Sequence, residues 1–305
     1  MKDRKVMLME WLESLENTIG YIERHIEDNI VIEDIARDVG ISSFYLQRSF
    51  QIVTGYSLGE YIRKRKLYLA AQELSKGKGK VIDIAYKYGY ETPESFTKAF
   101  VRFHETTPSK VKAGADFKPF YKIKINLNIV QEKEMEVKIT PMFPIRLIGF
   151  MKEFSFENSY EEIPKFWDEI CAKHCSRIYA GEDPVTKEEH AIVDNCIGEY
   201  AICIDENDNG KTFNYMVAGR YSGGEVPEGM RMIELERGNW AVFDCYGPNP
   251  KTLQETNTRI FNDWIPNNRD YKVRANYSIE WYDCTGDMND SNYHSAIWIP
   301  VEKKQ

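Results

Sequence analysis

Residues 32–50 read Ile-Glu-Asp-Ile-Ala-Arg-Asp-Val-Gly-Ile-Ser-Ser-Phe-Tyr-Leu-Gln-Arg-Ser-Phe. Ile32, Ile35, Ala36 and Val39 fall on one face at helical spacing, and Gly40 suits the left-handed position that ends a helix. Ser42 fits the N-cap of the next helix, whose Leu46, Phe50 and Val53 face inward while Tyr45, Gln47, Arg48 and Gln51 face outward; Gly55 stops it. A short helix, a tight turn and a second helix with a polar outer face make a helix-turn-helix. The pattern then returns. Ile35-Ala36 and Gly40 recur 49 positions on as Ile84-Ala85 and Gly89, and Leu46, Arg48 and Phe50 recur 50 positions on as Phe96, Lys98 and Phe100. One residue has been added in the turn, where Thr92 supplies the cap and Pro93 the first helical position. Between the copies, a helix over about Ser57 to Ser75 reads as a connector with Arg63-Lys64-Arg65-Lys66 in its middle. That run suits either phosphate contact or a solvated face.

Outward from this stretch, Ile19, Ile22 and Ile26 predict a preceding helix, so residues 11–112 read as all-α. The whole chain has 305 residues, long enough for two domains. Its net charge of −8 hides an asymmetry. Residues 1–115 carry 18 Lys and Arg against 16 Asp and Glu, net +2, which leaves 22 against 32, net −10, for 116–305. No apolar run approaches the roughly 18 residues of a membrane span, so no membrane partner is expected. The start, MKDRKVMLMEW, shows no cleavage motif, so the expected location is the cytoplasm. All six cysteines lie in the second half without the short spacing of a secreted scaffold, which predicts reduced thiols.

From Tyr121 the periodicity changes to alternation. Strands are predicted near 121–129, 136–140, 145–154, 198–205, 213–221, 230–236, 239–246, 273–283 and 294–301, with helices near 159–173 and 251–264. The order strand, helix, strands occurs over 136–221 and again over 230–301, which predicts an α+β domain of two strand-helix-strand-strand modules. The expected architecture is therefore multidomain: a duplicated helix-turn-helix over 8–112, a linker over 113–135, and the α+β domain over 136–302. The linker's alternating residues suggest that it docks on the second domain.

An outward helix can enter the major groove of duplex DNA, where Gln reads adenine and Arg reads guanine through paired hydrogen bonds. Gln47 and Arg48 fit that role. The run over 32–50, Tyr56-Ser-Leu-Gly59, Ile82-Asp-Ile-Ala85 with Gly89-Tyr90, and Thr107-Pro108 together resemble the AraC/XylS family of transcription regulators, most of all the subgroup containing MarA, SoxS and Rob. The resemblance covers about residues 11–112. It implies promoter DNA and RNA polymerase as partners, and activation as the outcome. It also places Phe44 and Tyr45 on the reading face, Ser43 at a phosphate, and Pro93, Glu94, Ser95, Thr97 and Lys98 on the corresponding face of the second copy. Two motifs joined by a stiff helix reach successive major grooves about 34 Å apart, so one monomer suffices for an asymmetric site. Val31, Glu105 and Lys112 depart from the family's usual polar cap, glycine and arginine.

Gly238-Asn-Trp-Ala-Val-Phe-Asp-Cys-Tyr-Gly247, Phe261-Asn-Asp-Trp-Ile265 and Tyr277-Ser-Ile-Glu-Trp-Tyr282 resemble the GyrI-like effector-binding domains, the sensing halves of Rob and BmrR, with Phe166-Trp167 as the landmark of the first module. Strand alternation puts Ala275, Tyr277, Ile279 and Trp281 on one face, expected to take helix packing. Asn276, Ser278, Glu280 and Tyr282 fall on the other, expected to line a cleft between the modules. By the resemblance, Glu280 contacts a small-molecule effector, and a carboxylate among rings suits an amphipathic cation. Trp167, Tyr200, Trp240 and Tyr282 are the candidate walls. Alternative readings of this half are a hydrolase using Glu280 and a nearby Tyr, as in some GyrI-like relatives, or a protein-interaction module. Cys171, His174 and Cys175 lack a second ligand pair, so they read as partly buried thiols; no metal, cofactor or catalytic residue is assigned. The absence of a Walker loop, a dinucleotide fingerprint and a Gly-x-Ser-x-Gly elbow argues against nucleotide-dependent enzymology.

Overall fold

The computed structural model describes residues 2–125, 135–205 and 211–304. The chain divides near residue 128 into two compact units. The first holds α1 (Lys2–Arg24), α2 (Ile32–Val39), α3 (Ser43–Thr54), α4 (Leu58–Ser75), α5 (Val81–Lys87), α6 (Pro93–His104) and α7 (Pro108–Lys112). Ser42 Oγ accepts from the Tyr45 N–H and Thr92 Oγ1 from the Ser95 N–H, so both outer helices start where the sequence predicts. Gly40 and Gly55 end α2 and α3 in the left-handed region, at φ 74° and 75°. Val31 provides no side-chain cap to α2.

Two cores lie side by side in this unit. Leu15, Ile19, Ile22, Ile35, Leu46, Phe50, Leu58 and Tyr61 form one; Leu67, Ala70, Leu74, Ile84, Phe96, Phe100 and Val111 form the other. The connector α4 contributes its first half to one core and its second half to the other. Its basic run is largely engaged in bonds within the unit, and Arg65 is buried. Arg65, 5% exposed, donates Nε and Nη2 to the Glu23 carboxylate at 2.7 Å each and Nη1 to the Phe120 carbonyl. Lys64 pairs with Glu60 at 2.6 Å, and Lys66 donates to the Asp28 carbonyl at 3.0 Å. Three of the four cations thus serve the fold.

After α7 the expected strand near 121–129 does not form over 121–125; its remainder falls outside the described residues. Phe117 instead packs on the second core, and Phe120, Ile123 and Ile125 on the first. The reason is local: the alternating apolar residues find the helices of their own unit, and the Phe120 carbonyl is already taken by Arg65.

The second unit holds β1 (Lys138–Met142), β2 (Ile145–Ser155), α8 (Ser159–Ile170), a π-turn over Cys171–Cys175, α9 (Ser176–Tyr179), α10 (Lys187–Asn195), β3 (Tyr200–Ile204) and β4 (Thr212–Arg220). It continues with β5 (Met230–Leu235), β6 (Gly238–Tyr246), α11 (Lys251–Arg259), a π-turn over Ile260–Trp264, α12 (Ile265–Asn267), β7 (Tyr271–Val273), β8 (Tyr277–Tyr282) and β9 (His294–Lys303). Among the described residues the strands make one antiparallel sheet in the order β1-β6-β9-β8-β3-β4-β2-β5, with β7 on β9.

The two modules repeat one another. β2 and β3 flank β4 just as β6 and β8 flank β9, each first strand leads into a helix that ends in a π-turn, and the modules join along β3 and β8. β1 precedes the first module yet pairs with β6 of the second, while β5 precedes the second yet pairs with β2 of the first. This exchange ties the halves together, with β1 and β5 becoming the edge strands of the sheet. The single strand expected over 273–283 is broken into β7 and β8. Opposite the break lies Pro300, which has no N–H for the ladder; its carbonyl accepts from the Arg274 N–H at 3.0 Å. No helix among the described residues is long and apolar enough to cross a membrane.

Candidate functional site

In the helical unit, α6 presents the face that its sequence promises. Glu94, Ser95 and Lys98 are exposed and Pro93 and Thr97 half-exposed, while Phe96 and Phe100 are fully buried. The outer face of α3 is different. Ser43, Phe44, Tyr45 and Gln47 are buried, Tyr45 at 7% and Gln47 at 3% exposure, and Arg48 and Gln51 keep partial exposure. The expected open placement of these four residues is therefore not met. Phe44 and Tyr45 stack edge to face at 5.3 Å, and the Arg48 guanidinium lies 5.5 Å from the Phe44 ring centre, an i,i+4 contact that folds the long side chain over the ring. Gln47 Nε2 has no hydrogen-bond partner among the described residues, and a buried donor in that state costs stability until an acceptor meets it.

In the sheet unit the register decides which residues share a face, because directly opposed residues of an antiparallel ladder project to the same side. Glu280 lies opposite Ala201 and Ile297, on the seam where the modules meet. Its Oε2 accepts from the Tyr282 hydroxyl at 2.9 Å and from the Tyr215 hydroxyl at 3.4 Å. Trp167, on α8, donates its indole N–H to the Tyr215 oxygen at 3.1 Å and meets the Tyr282 ring edge-on at 5.8 Å. Glu280, Tyr282, Tyr215 and Trp167 thus form one cluster between sheet and helix. The helices pack on the Glu280 face, which reverses the expected assignment of the two faces.

Tyr200 and Trp240 do not join this cluster. Tyr200 pairs with Trp281 one position along from the Ala201–Glu280 pair, so it projects to the other side of the sheet and packs on Trp298 at 5.9 Å. Trp240 packs there too, on Tyr277 at 5.7 Å and Trp298 at 6.4 Å. They belong to the apolar cluster of Leu147, Ile202, Met216 and Ile279, and their candidacy as walls of the Glu280 site is withdrawn. Tyr215 takes the place that sequence reading missed. Alternation in β4 puts Phe213, Tyr215 and Val217 on one face, but only the strand order brings that face beside β8. Burial first, then the nearby Glu280 carboxylate, raises the Tyr215 and Tyr282 phenols well above their ordinary range, so both remain protonated donors at neutral pH.

Residues 35–114 match the family model described as a helix-turn-helix domain, and residues 138–301, just over half the chain, match that described as an integron-associated effector binding protein. Regulatory protein SoxS of Escherichia coli (strain K12) is 40% identical over 95 residues, which is 31% of this chain and 89% of that protein. Right origin-binding protein of the same strain is 29% identical over 156 residues, 51% of this chain and 53% of that protein. The solved structure of SAV2435 bound to tetraphenylphosphonium superposes on 55% of this chain and 94% of its own, with 20% identity and a TM-score of 0.45. The helical unit and the duplicated sheet unit together define a DNA-binding transcription regulator of the AraC type with a C-terminal GyrI-like effector-binding domain. Through that second unit the chain belongs to the family of integron-associated effector binding proteins.

Proposed function

We propose that this regulator activates transcription in response to a small amphipathic cation bound at Glu280. The observation that carries the reading is the half-buried carboxyl that accepts two phenol hydrogen bonds, ringed by Trp167, Tyr215 and Tyr282. A cation there gains charge pairing and ring attraction together in a partly desolvated place, whereas an anion meets the carboxylate. Glu280 reads charge, and the three rings read shape.

On the DNA side, the reading set is Ser43, Phe44, Tyr45, Gln47 and Arg48 on α3 with Pro93, Glu94, Ser95, Thr97 and Lys98 on α6. The exposed face of α6 supports its part directly, and Gln47 Nε2, without a hydrogen-bond partner among the described residues, supports a base acceptor for α3. Reading by α3 requires its packed rings to open. Activation, with RNA polymerase as partner, follows the likeness of the first half to the AraC/XylS family. The functional extents are 8–112 for DNA binding, 113–135 for the linker and 136–302 for the effector. Transcription in vitro from a promoter selected by binding, with and without a panel of amphipathic cations, tests this. Transcript is expected to rise with at least one cation, and a fall in transcript with every cation that binds would overturn the activator reading.

A further inference from the structure

Two thiols outside the effector cluster are placed together by the π-turn that continues α8. Cys171 and Cys175 are four residues apart and both free. Side chains so spaced on a helix have Cβ atoms about 5–6 Å apart, within the span that one bridging atom closes. Cys171 is half-exposed and Cys175 is 7% exposed, and Cys171 Sγ lies 3.5 Å from the Tyr179 hydroxyl. Burial, followed by the presence of Cys171, pushes the Cys175 thiol up to about 11. His174, between them in sequence, stacks on Phe150 at 4.9 Å. Among the described residues no group of three or more His, Cys, Asp and Glu is arranged to hold a metal ion. Two sulfurs without a third ligand suit a soft centre that already carries one carbon substituent.

We propose that Cys171 and Cys175 form a chelating dithiol site for monosubstituted trivalent arsenicals. Each thiol displaces one hydroxyl from the hydrated arsenical: two S–H and two As–OH bonds break, two S–As bonds form, and both thiol protons leave in two waters. Arsenic stays trivalent and no oxidant is consumed. The half-exposed Cys171 reacts first, and Cys175 then closes the ring as an intramolecular step, favoured by effective concentration. The clasp lies one turn beyond Trp167, whose indole holds Tyr215 beside Glu280, so the site gives the effector unit a second chemical input.

Phenylarsine oxide added in equimolar amount to the full chain, followed by intact-mass analysis and peptide mapping with the remaining thiols alkylated, tests the site. The expected result is one adduct on Cys171 and Cys175 that survives about a hundredfold excess of a monothiol and is released by 2,3-dimercaptopropanol. Cys171→Ser, at a half-exposed position that tolerates the change, should lose this resistance by about a hundredfold or more, and Cys175→Ser should do likewise. The double variant Cys196→Ser/Cys284→Ser should retain it; these cysteines also lie near enough to influence one another. Mapping of the adduct to Cys196 and Cys284, or resistance in Cys171→Ser equal to that of the wild type, would overturn the proposal.

Discussion

Glu105 ends α6 in the left-handed region at φ 60°, a position where side chains with a Cβ are strained and glycine is not. Glu105→Gly should therefore raise the stability of the helical unit by about 1 kcal/mol, read as a shift in the urea midpoint at unchanged slope. Arg48→Ala should weaken binding to the selected DNA site by about 1–3 kcal/mol and relax preference at one base pair, since a guanine contact is base-specific. Equal weakening on every sequence would count against base reading. Lys98→Ala should instead weaken binding evenly and flatten the salt slope by about one, as expected of a phosphate contact. At this scale the sequence was informative about type and poor about direction. Glu280 and Tyr282 stand out as a carboxylate and a ring two apart on a strand, and the structure keeps them together. Tyr200 and Trp240 failed because a shift of one position in a ladder moves a side chain to the opposite face. Tyr215 was invisible because its closeness to Glu280 depends on the pairing of β3 with β4 and β8, which periodicity does not encode.

The helical elements were legible nearly to their ends because their signals are local: a capping serine or threonine, a glycine stop, an apolar stripe. α10 was missed although its signal is equally local. Thr186 and Glu189 form a reciprocal capping box at its start. The segment after α7 shows the opposite failure, an alternating pattern that makes no strand over 121–125 because its apolar residues pack on the helices of their own unit. Its anchor is Arg65, held between Glu23 and the Phe120 carbonyl, with the Tyr61 hydroxyl also donating to Glu23 at 2.9 Å. Burial raises the Glu23 carboxyl, but the bonds from Arg65 and Tyr61 outweigh it, and the group ends below its ordinary range. A carboxyl depressed in the folded state contributes stability that is present above its unfolded value, about pH 4.3, and is lost as pH falls through the lower folded value. Denaturation of Glu23→Gln between pH 3 and 7 should accordingly show a shallower acid loss than the wild type. Arg65→Ala should cost about 3 kcal/mol at neutral pH, because it leaves a largely buried carboxylate and a backbone carbonyl without their cation. A loss below about 1 kcal/mol would place Arg65 among ordinary surface pairs.

Duplication organises the whole molecule twice over: two helix-turn-helix copies share one connecting helix, and two strand-helix-strand-strand modules share one sheet. Both repeats were legible in the sequence from the order of elements. The exchange of β1 and β5 between modules was not, since nothing local in a strand names its partner. The Glu280 cluster sits on the seam between the sheet modules and draws residues from both: Trp167 and Tyr215 from the first, Glu280 and Tyr282 from the second, so a ligand bound there as proposed would touch both modules. Calorimetric titration of amphipathic cations, with their neutral and anionic counterparts, into wild type and Glu280→Gln tests that arrangement most directly. The predicted result is cation binding that weakens by about tenfold or more in the variant, the loss expected when a charged partner becomes neutral. Neutral or anionic compounds that bind as tightly as cations, equally in both proteins, would contradict the role of Glu280 as the reader of charge.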